Sequence, residues 1–283
     1  MTVEHPIAKE LTVRPFSALR PRSGLTWPLE RSNLRRLRHV LLPIATAALF
    51  LAAWQITAMS LHIPAAIVPT PLQIAGEFCR AFPVLLIQAV PTTLDSIVAF
   101  SLAAVLGIGL AVVITYSPLL RYTLYPNLVV FQLIPKIALA PLFIVWLGVG
   151  SQSRIAFATF VSFFPVVISA AVGFANTEQT TLRLCRSLTA SEWQSFIAVR
   201  FPFALPAIFS GLKIAMTMAI IGVIIAEFIS AKAGLGFYIL YAGSRMETGL
   251  VFAALCVLCA IGAALFGAVA LAEAQMRRSY GRR

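Results

Sequence analysis

Long apolar segments alternate with shorter polar ones along this chain of 283 residues. A helix needs roughly 20 apolar residues to cross a hydrocarbon core of about 30 Å. Six segments approach that length, at residues 40–59, 94–116, 122–147, 155–175, 207–229 and 250–271. The pattern therefore predicts an all-α integral membrane protein with six transmembrane helices.

The third apolar segment is interrupted by prolines. Pro126, Pro135 and Pro141 all lie within it. Membrane helices tolerate proline where neighbouring groups satisfy the freed carbonyls, so we expect this span to be kinked or discontinuous. Lys136 follows the middle proline, and an ammonium inside a membrane is costly enough to indicate function. It either lines a translocation path or pairs with a carbonyl or carboxylate.

Two carboxylates lie toward the outer ends of other spans. Asp95 belongs to the second segment and Glu227 to the fifth. Near a membrane surface such groups can reach water, so both are interpreted either as gate residues of the translocation path or as solvated side chains.

A proline-rich stretch follows the first span. Prolines at 64, 69 and 71 forbid a continuous helix and predict an extended outer loop. Thr70 is placed to cap a new helix that has Pro71 at its first position. Apolar residues at helical spacing after Pro71 then predict a short helix on the outer membrane surface, within a first unit of residues 40–83.

About thirty amphipathic residues separate the fourth and fifth spans, far more than a turn requires. The segment divides at Thr189, which stands with Glu192 at the spacing of a capping box and so predicts a second short helix. Pro202 is expected to end that helix. One face of the helix is apolar and finishes in a cation, with Trp193, Phe196, Ile197 and Arg200 at i, i+3, i+4 and i+7.

Composition and charge support the membrane interpretation. Hydrophobic residues make up 60% of the chain and charged ones only 11%. The net charge of +12 is concentrated before the first span and after the last. By the positive-inside rule both termini are cytoplasmic, which fits an even number of spans. Residues 1–39 predict a basic disordered cytoplasmic tail and residues 276–283 a shorter one, so no nucleic acid partner is expected.

Catalytic chemistry is not visible in the sequence. The three histidines are scattered, and no nucleophile stands beside a base, so no catalytic or metal site is predicted. The phosphate-binding pattern G-x-x-x-x-G-K-[ST] is missing, so nucleotide is not bound by the usual loop. A transporter is the favoured interpretation, and an ATP-independent secondary transporter or channel remains an alternative class.

The strings RSLTASEWQSFIAVRFPFALPAIFSGLKIA and AEFISAKAGLGFYI connect the chain to a known family. They resemble the permease subunits of binding-protein-dependent ABC importers, in particular the nitrate, sulfonate and taurine branch. The family signature reads E-A-A, three residues, G, nine residues, I, any residue, L-P. Val199, Phe201 and Pro202 match its closing part. Thr189 replaces the glycine, and residues 183–185 replace E-A-A.

The resemblance implies a MetI-like, type I ABC importer permease fold, with its core at residues 84–275 and a cytoplasmic coupling hairpin at 176–206. The implied partners are an ABC ATPase dimer that uses the ATP, a periplasmic solute-binding protein and a second permease copy, in the bacterial inner membrane. No cofactor is expected on this chain. The implied coupling residues are Arg186, Thr189, Glu192, Trp193, Phe196, Ile197, Arg200 and Pro202.

The same resemblance implies a small nitrate-, sulfonate- or taurine-like solute. Features shared with uptake systems for a thiamine-precursor pyrimidine or riboflavin keep those solutes as an alternative. The translocation path would include Lys136, Asp95 and Glu227.

Overall fold

The computed structural model describes residues 31–230 and 232–280, with side chains from residue 41 onward. The described residues form α1 (Arg31–Ser60), α2 (Pro71–Tyr116), α3 (Pro118–Phe131), α4 (Ala140–Leu147), α5 (Ser151–Ala175), α6 (Gln179–Ser187), α7 (Glu192–Ser195), α8 (Phe201–Ser230), α9 (Leu235–Ser244) and α10 (Thr248–Tyr280). A 3-10 turn, Lys136–Leu139, precedes α4, and a π turn, Phe196–Arg200, joins α7 to α8.

The structure describes only part of the two predicted terminal tails. Residues 1–30 and 281–283 lie outside the described residues. The prediction is wrong for residues 31–39, which belong to α1, and for residues 276–280, which continue α10. Internal contacts divide the chain after Ala52, so packing is described for residues 53–280.

The prediction of an all-α membrane protein is confirmed. Within the described residues, five helices are long and apolar enough to span a membrane: α1, α2, α5, α10, and α8 together with the turns before it. The segments Pro118–Phe131 and Lys136–Leu147 meet at a bend of 90° and make a sixth span if they are counted together. The predicted discontinuity of the third span is therefore present in the structure.

The predicted outer surface helix is wrong as a separate element. Thr70 does cap a helix, since its Oγ1 accepts from the Gln73 N–H at 3.3 Å, but that helix is α2 and it runs without a break to Tyr116. Pro83 and Pro91 lie inside it. A proline removes one backbone hydrogen bond, whereas breaking the helix in lipid would leave several groups unsatisfied, so continuity is the cheaper solution. At 46 residues, α2 is about 69 Å long and extends beyond the hydrocarbon layer.

Helices α2, α5 and α8 form the centre of the bundle, and α5 packs most extensively against α8. Two glycines of α8 permit this contact. A Cβ at Gly211 would lie 2.6 Å from Ser169 Cβ, and one at Gly222 would lie 2.7 Å from Ala158 Cα. The two backbones therefore approach too closely for any side chain at these positions, as is usual where membrane helices pack through small residues.

Candidate functional site

The cytoplasmic hairpin predicted at 176–206 comprises α6, a turn, α7, the π turn and the first residues of α8. Helix α6 ends in a Schellman motif, because the Ala190 N–H donates to the Cys185 carbonyl at 3.0 Å and the Thr189 N–H donates to the Arg186 carbonyl at 3.1 Å. Thr189 takes the left-handed conformation of that motif, with φ of +58°. Glycine favours this conformation, so the structure gives a physical reason for the glycine that the family signature has at this position.

The predicted capping box on Thr189 and Glu192 is wrong. Ser191 caps α7 instead: its Oγ accepts from the Gln194 N–H at 3.2 Å, and its own N–H donates to Gln194 Oε1 at 2.8 Å. An N-cap residue needs an extended backbone, which Ser191 has with ψ of 158°. Thr189 cannot provide it, since it terminates α6 in the left-handed region.

The apolar face predicted for the second helix divides into two. Trp193 is 66% exposed and Ile197 49% exposed, whereas Phe196 is only 7% exposed. Phe196 packs among the rings of Tyr116, Phe174, Phe201 and Trp193 and belongs to the cluster that joins the hairpin to α2, α5 and α8. Phe196 is therefore an internal anchor of the hairpin, and Trp193 and Ile197 are left facing outward.

Two leucines at the C-terminal end of α6 are exposed as well. Leu184 is 59% exposed and Leu188 is 70% exposed. We call Leu184, Leu188, Trp193 and Ile197 the hairpin strip. Large apolar side chains exposed on an otherwise polar segment are a signature of an interaction surface.

The prediction that Pro202 ends the second helix is also wrong. The chain passes from α7 through the π turn into α8 without leaving a helical conformation. In a regular α-helix the ring of Pro202 would clash with the carbonyl four residues earlier. The π turn widens the backbone just before it, and the Phe201 N–H bonds five residues back to the Phe196 carbonyl. The hairpin thus continues directly into a transmembrane helix.

The charged residues of the hairpin have mostly local partners. Arg186 and Glu192 form an exposed ion pair at 3.4 Å that bridges its two halves. Arg200 stacks over the Tyr116 ring at 5.3 Å, and its buried Nε lacks a hydrogen-bond partner within the described part of the chain.

Lys136 begins the 3-10 turn at the break in the third span, close to the α5 helix. Its Nζ lies 5.1 Å from the centre of the Phe164 ring, and no carboxylate of the described chain pairs with it. The side chain is only partly buried. Of the two structural partners that the sequence allowed, a backbone carbonyl and a carboxylate on another span, the carboxylate is not found among these residues.

Asp95 lies in a buried polar network and not at a solvated surface. Its Oδ2 accepts from Arg154 Nε at 2.7 Å, and Oδ1 accepts from the Ser151 hydroxyl. Asp95 is 5% exposed and Arg154 9% exposed. The interpretation of Asp95 as a solvated side chain is therefore wrong: α2 and the first turn of α5 are held together by a buried ion pair.

Glu227 is likewise buried, at 1% exposure. Its carboxylate accepts from the Thr92 hydroxyl at 2.8 Å and from the Gly236 N–H at 2.7 Å. The Thr92 oxygen in turn accepts from the Leu235 N–H at 2.9 Å. Glu227 therefore fastens the start of α9 to α2 and α8, and its interpretation as a solvated side chain is wrong.

The close approach of Gly234 completes this junction. Its N–H donates to Gln88 Oε1 at 2.7 Å, and its φ is +113°. A Cβ here would lie 2.1 Å from Glu227 Oε1, so only glycine fits beside the carboxylate. In the sequence, Asp95 and Glu227 stand as isolated charges, and their partners Arg154 and Thr92 lie 59 and 135 residues away along the chain.

The comparisons with known proteins agree with this architecture. The family model described as binding-protein-dependent transport system inner membrane component matches residues 103–278, and the chain belongs to that family. It is a permease subunit of a binding-protein-dependent ABC importer, a multi-pass inner-membrane transport component and not an enzyme.

Individual relatives cover most of the chain. The formylaminopyrimidine transport permease protein of Halalkalibacterium halodurans is 30% identical over 83% of this chain and 94% of its own length. The taurine transport system permease protein of Escherichia coli is 32% identical over 83% of this chain and 86% of its own. An inward-facing structure of the MetNI methionine ABC transporter, at 19% identity, covers 67% of this chain and 98% of its own with a TM-score of 0.53, which confirms the MetI-like fold.

Proposed function

We propose that this permease carries a small nitrate-, sulfonate- or taurine-like solute, delivered by a periplasmic binding protein, and that its hairpin strip docks onto an ABC ATPase dimer. The observation that carries the proposal is the division of the hairpin. Phe196 fixes it to the transmembrane core, while Trp193 and Ile197 remain exposed for a partner. A movement imposed on the strip would pass through Phe196 and the π turn into α8.

The family resemblance and the distribution of charge support a dimeric permease that is powered by its partner ATPase. Two copies of the chain form the membrane pore, with both termini cytoplasmic. ATP is bound and hydrolysed on the partner ATPase, and this chain binds no cofactor. The exposed Arg186–Glu192 pair borders the strip and supplies polar contacts at its rim.

Lys136 is proposed to line the translocation path. It lies where the third span breaks, and irregular backbone at membrane depth is tolerated where it lines a cavity or is covered by protein. Its ammonium has no carboxylate partner among the described residues and can attract an anionic solute. Asp95 and Glu227 remain candidates for the outer part of the path, where their networks would hold a closed arrangement.

A formylaminopyrimidine or riboflavin solute is the second candidate, favoured by the pyrimidine permease among the relatives. The two candidates differ in functional group, since nitrate is an oxyanion and sulfonates, taurine included, carry a sulfonate group that the pyrimidine and riboflavin lack. Isothermal titration of the cognate binding protein with taurine, nitrate and formylaminopyrimidine would separate them.

Reconstituted uptake tests the importer mechanism. The chain, its ATPase and the binding protein are placed in proteoliposomes with labelled solute. We expect uptake only when ATP and the binding protein are both present. Uptake without ATP would instead support a secondary transporter or channel.

A further inference from the structure

A cavity of about 240 Å³ lies beneath the hairpin, where the ends of α2 and α5 meet the starts of α3 and α6. Its polar lining comes from Thr115, Arg121, Tyr125, Gln179 and Arg200. None of the residues that line it is acidic. The cavity is thus a basic pocket bounded on one side by the hairpin.

The two guanidinium groups of this cavity, those of Arg121 and Arg200, have no ion-pair partner within the described part of the chain. The neighbouring acids are engaged elsewhere, Glu192 with Arg186 and Glu178 with the Thr181 hydroxyl. Arg200 Nε is buried and has no hydrogen-bond acceptor among the residues that the structure describes. Buried donors are nearly always satisfied in folded proteins, so this arrangement calls for an acceptor.

We infer that this cavity binds a phosphate-type oxyanion, which links Arg200 of the hairpin to Arg121 of α3. The planar guanidinium matches the oxygen geometry of phosphate, and two such groups with no carboxylate between them favour an anion. The Tyr125 hydroxyl and Gln179 amide provide neutral donors beside them. An anion held from both sides fastens α6 and the π turn to α3 and thereby restrains the hairpin.

Two sources can supply this chemistry, the headgroup of an anionic phospholipid or a free oxyanion from solution. The inference does not depend on the identity of the transported solute or on ATPase docking, so it can fail or succeed separately from the proposed function.

The test uses the full-length chain in nanodiscs of phosphatidylcholine, with thermal unfolding as the readout. Inorganic phosphate is titrated in one arm, and part of the lipid is replaced by phosphatidylglycerol in the other. At least one probe should raise Tm, because a ligand that binds the folded state stabilises it. A rise with phosphate identifies a soluble anion, and a rise with phosphatidylglycerol alone identifies the lipid headgroup.

Arg121→Gln should weaken the response by about tenfold or more in the midpoint of the titration, since hydrogen bonds to charged groups are among the stronger ones. Arg121 is exposed and the substitution should leave the fold intact. The matched control is Arg80→Gln on the outer part of α2, where the arginine pairs with Glu77. Arg121→Lys, which keeps the charge and loses the planar fork, should give an intermediate response.

Three results would overturn the inference. In the first, neither probe changes Tm. In the second, Arg121→Gln responds as the unaltered chain does, which would indicate generic attraction to basic surfaces. In the third, added ATPase subunit changes Tm of the unaltered chain but not of Arg121→Gln, while phosphate and phosphatidylglycerol have no effect. The cavity would then bind a side chain of the ATPase.

Discussion

The regions at the two ends of α8 differ in which side chains they expose and which they bury. At the hairpin end, large apolar residues such as Trp193 and Ile197 face outward. At the other end, the carboxylates of Glu227 and Asp95 are enclosed and satisfied by residues of the same chain. The contrast separates two roles. Charges with internal partners hold the bundle together, whereas the exposed apolar groups of the hairpin require something external to cover them.

Breaking the buried ion pair should have the largest effect. Asp95→Ala leaves Arg154 buried without its partner, and we expect a loss of about 3–5 kcal/mol in the free energy of unfolding. Thermal or denaturant unfolding of the purified protein measures it. Because replacing both charges removes the stranded cation, the double variant Asp95→Leu, Arg154→Met should recover much of the loss. A single variant as stable as the unaltered chain would show that the pair does not hold α2 to α5.

The next largest effect tests the internal anchor of the hairpin. Phe196→Ala removes a buried ring from an aromatic cluster and should cost about 3 kcal/mol or more. Limited proteolysis between α6 and α7 should accelerate, since the hairpin loses its attachment. Ile197→Ala, on the exposed side of the same turn, is the control. It should change the free energy of unfolding by no more than about 0.5 kcal/mol and leave the rate of proteolysis as it is. Equal effects of the two variants would remove the distinction between anchor and strip.

Lys136 belongs to neither class, being partly buried and without a carboxylate partner in the described chain. If it lines the path of an anionic solute, Lys136→Met should lower uptake by about tenfold or more, because one favourable charge is lost in a low-dielectric site. Reconstituted uptake measures this, and co-purification of the ATPase should be unaffected. Lys136→Arg should retain part of the activity. Normal uptake by Lys136→Met would exclude it from the path.

The smallest expected effect concerns the turn of the hairpin. Thr189→Gly places the preferred residue at a left-handed position and should stabilise the hairpin by about 1 kcal/mol, a gain partly offset by the greater freedom of glycine in the unfolded chain. Hydrogen exchange at the Ala190 N–H, which closes the Schellman motif, should slow. Faster exchange in Thr189→Gly would mean that threonine is not strained there.

The spans and the hairpin could be predicted because their signals are local. Long apolar runs predicted the spans, and the prolines around Lys136 predicted the break that the structure shows as a bend of 90°. The residue that caps α7 could not be predicted from spacing alone. Thr189 with Glu192 and Ser191 with Gln194 both have capping-box spacing, and the choice between them depends on how α6 ends.

Nonlocal contacts explain most of what the sequence did not reveal. Asp95 and Arg154 lie 59 residues apart, and Thr92 and Glu227 lie 135 apart, so neither pairing leaves a sequence pattern. Helical spacing placed Phe196 on the same face as Trp193 and Ile197, but spacing cannot show which part of that face the transmembrane core covers. The continuity of α2 through Pro83 and Pro91 reflects the apolar surroundings more than local propensity.

Co-purification of the ATPase subunit with the permease tests the central claim about the hairpin strip most directly. Trp193→Ala together with Ile197→Ala should reduce the ATPase retained at fixed concentration by at least about tenfold, since buried aromatic anchors dominate interface energies. Tm should stay within about two degrees of the unaltered chain, because both side chains are exposed. Leu72→Ala, at an exposed apolar residue at the start of α2, is the control and should retain the ATPase fully. Full retention by the double variant would contradict docking through the strip.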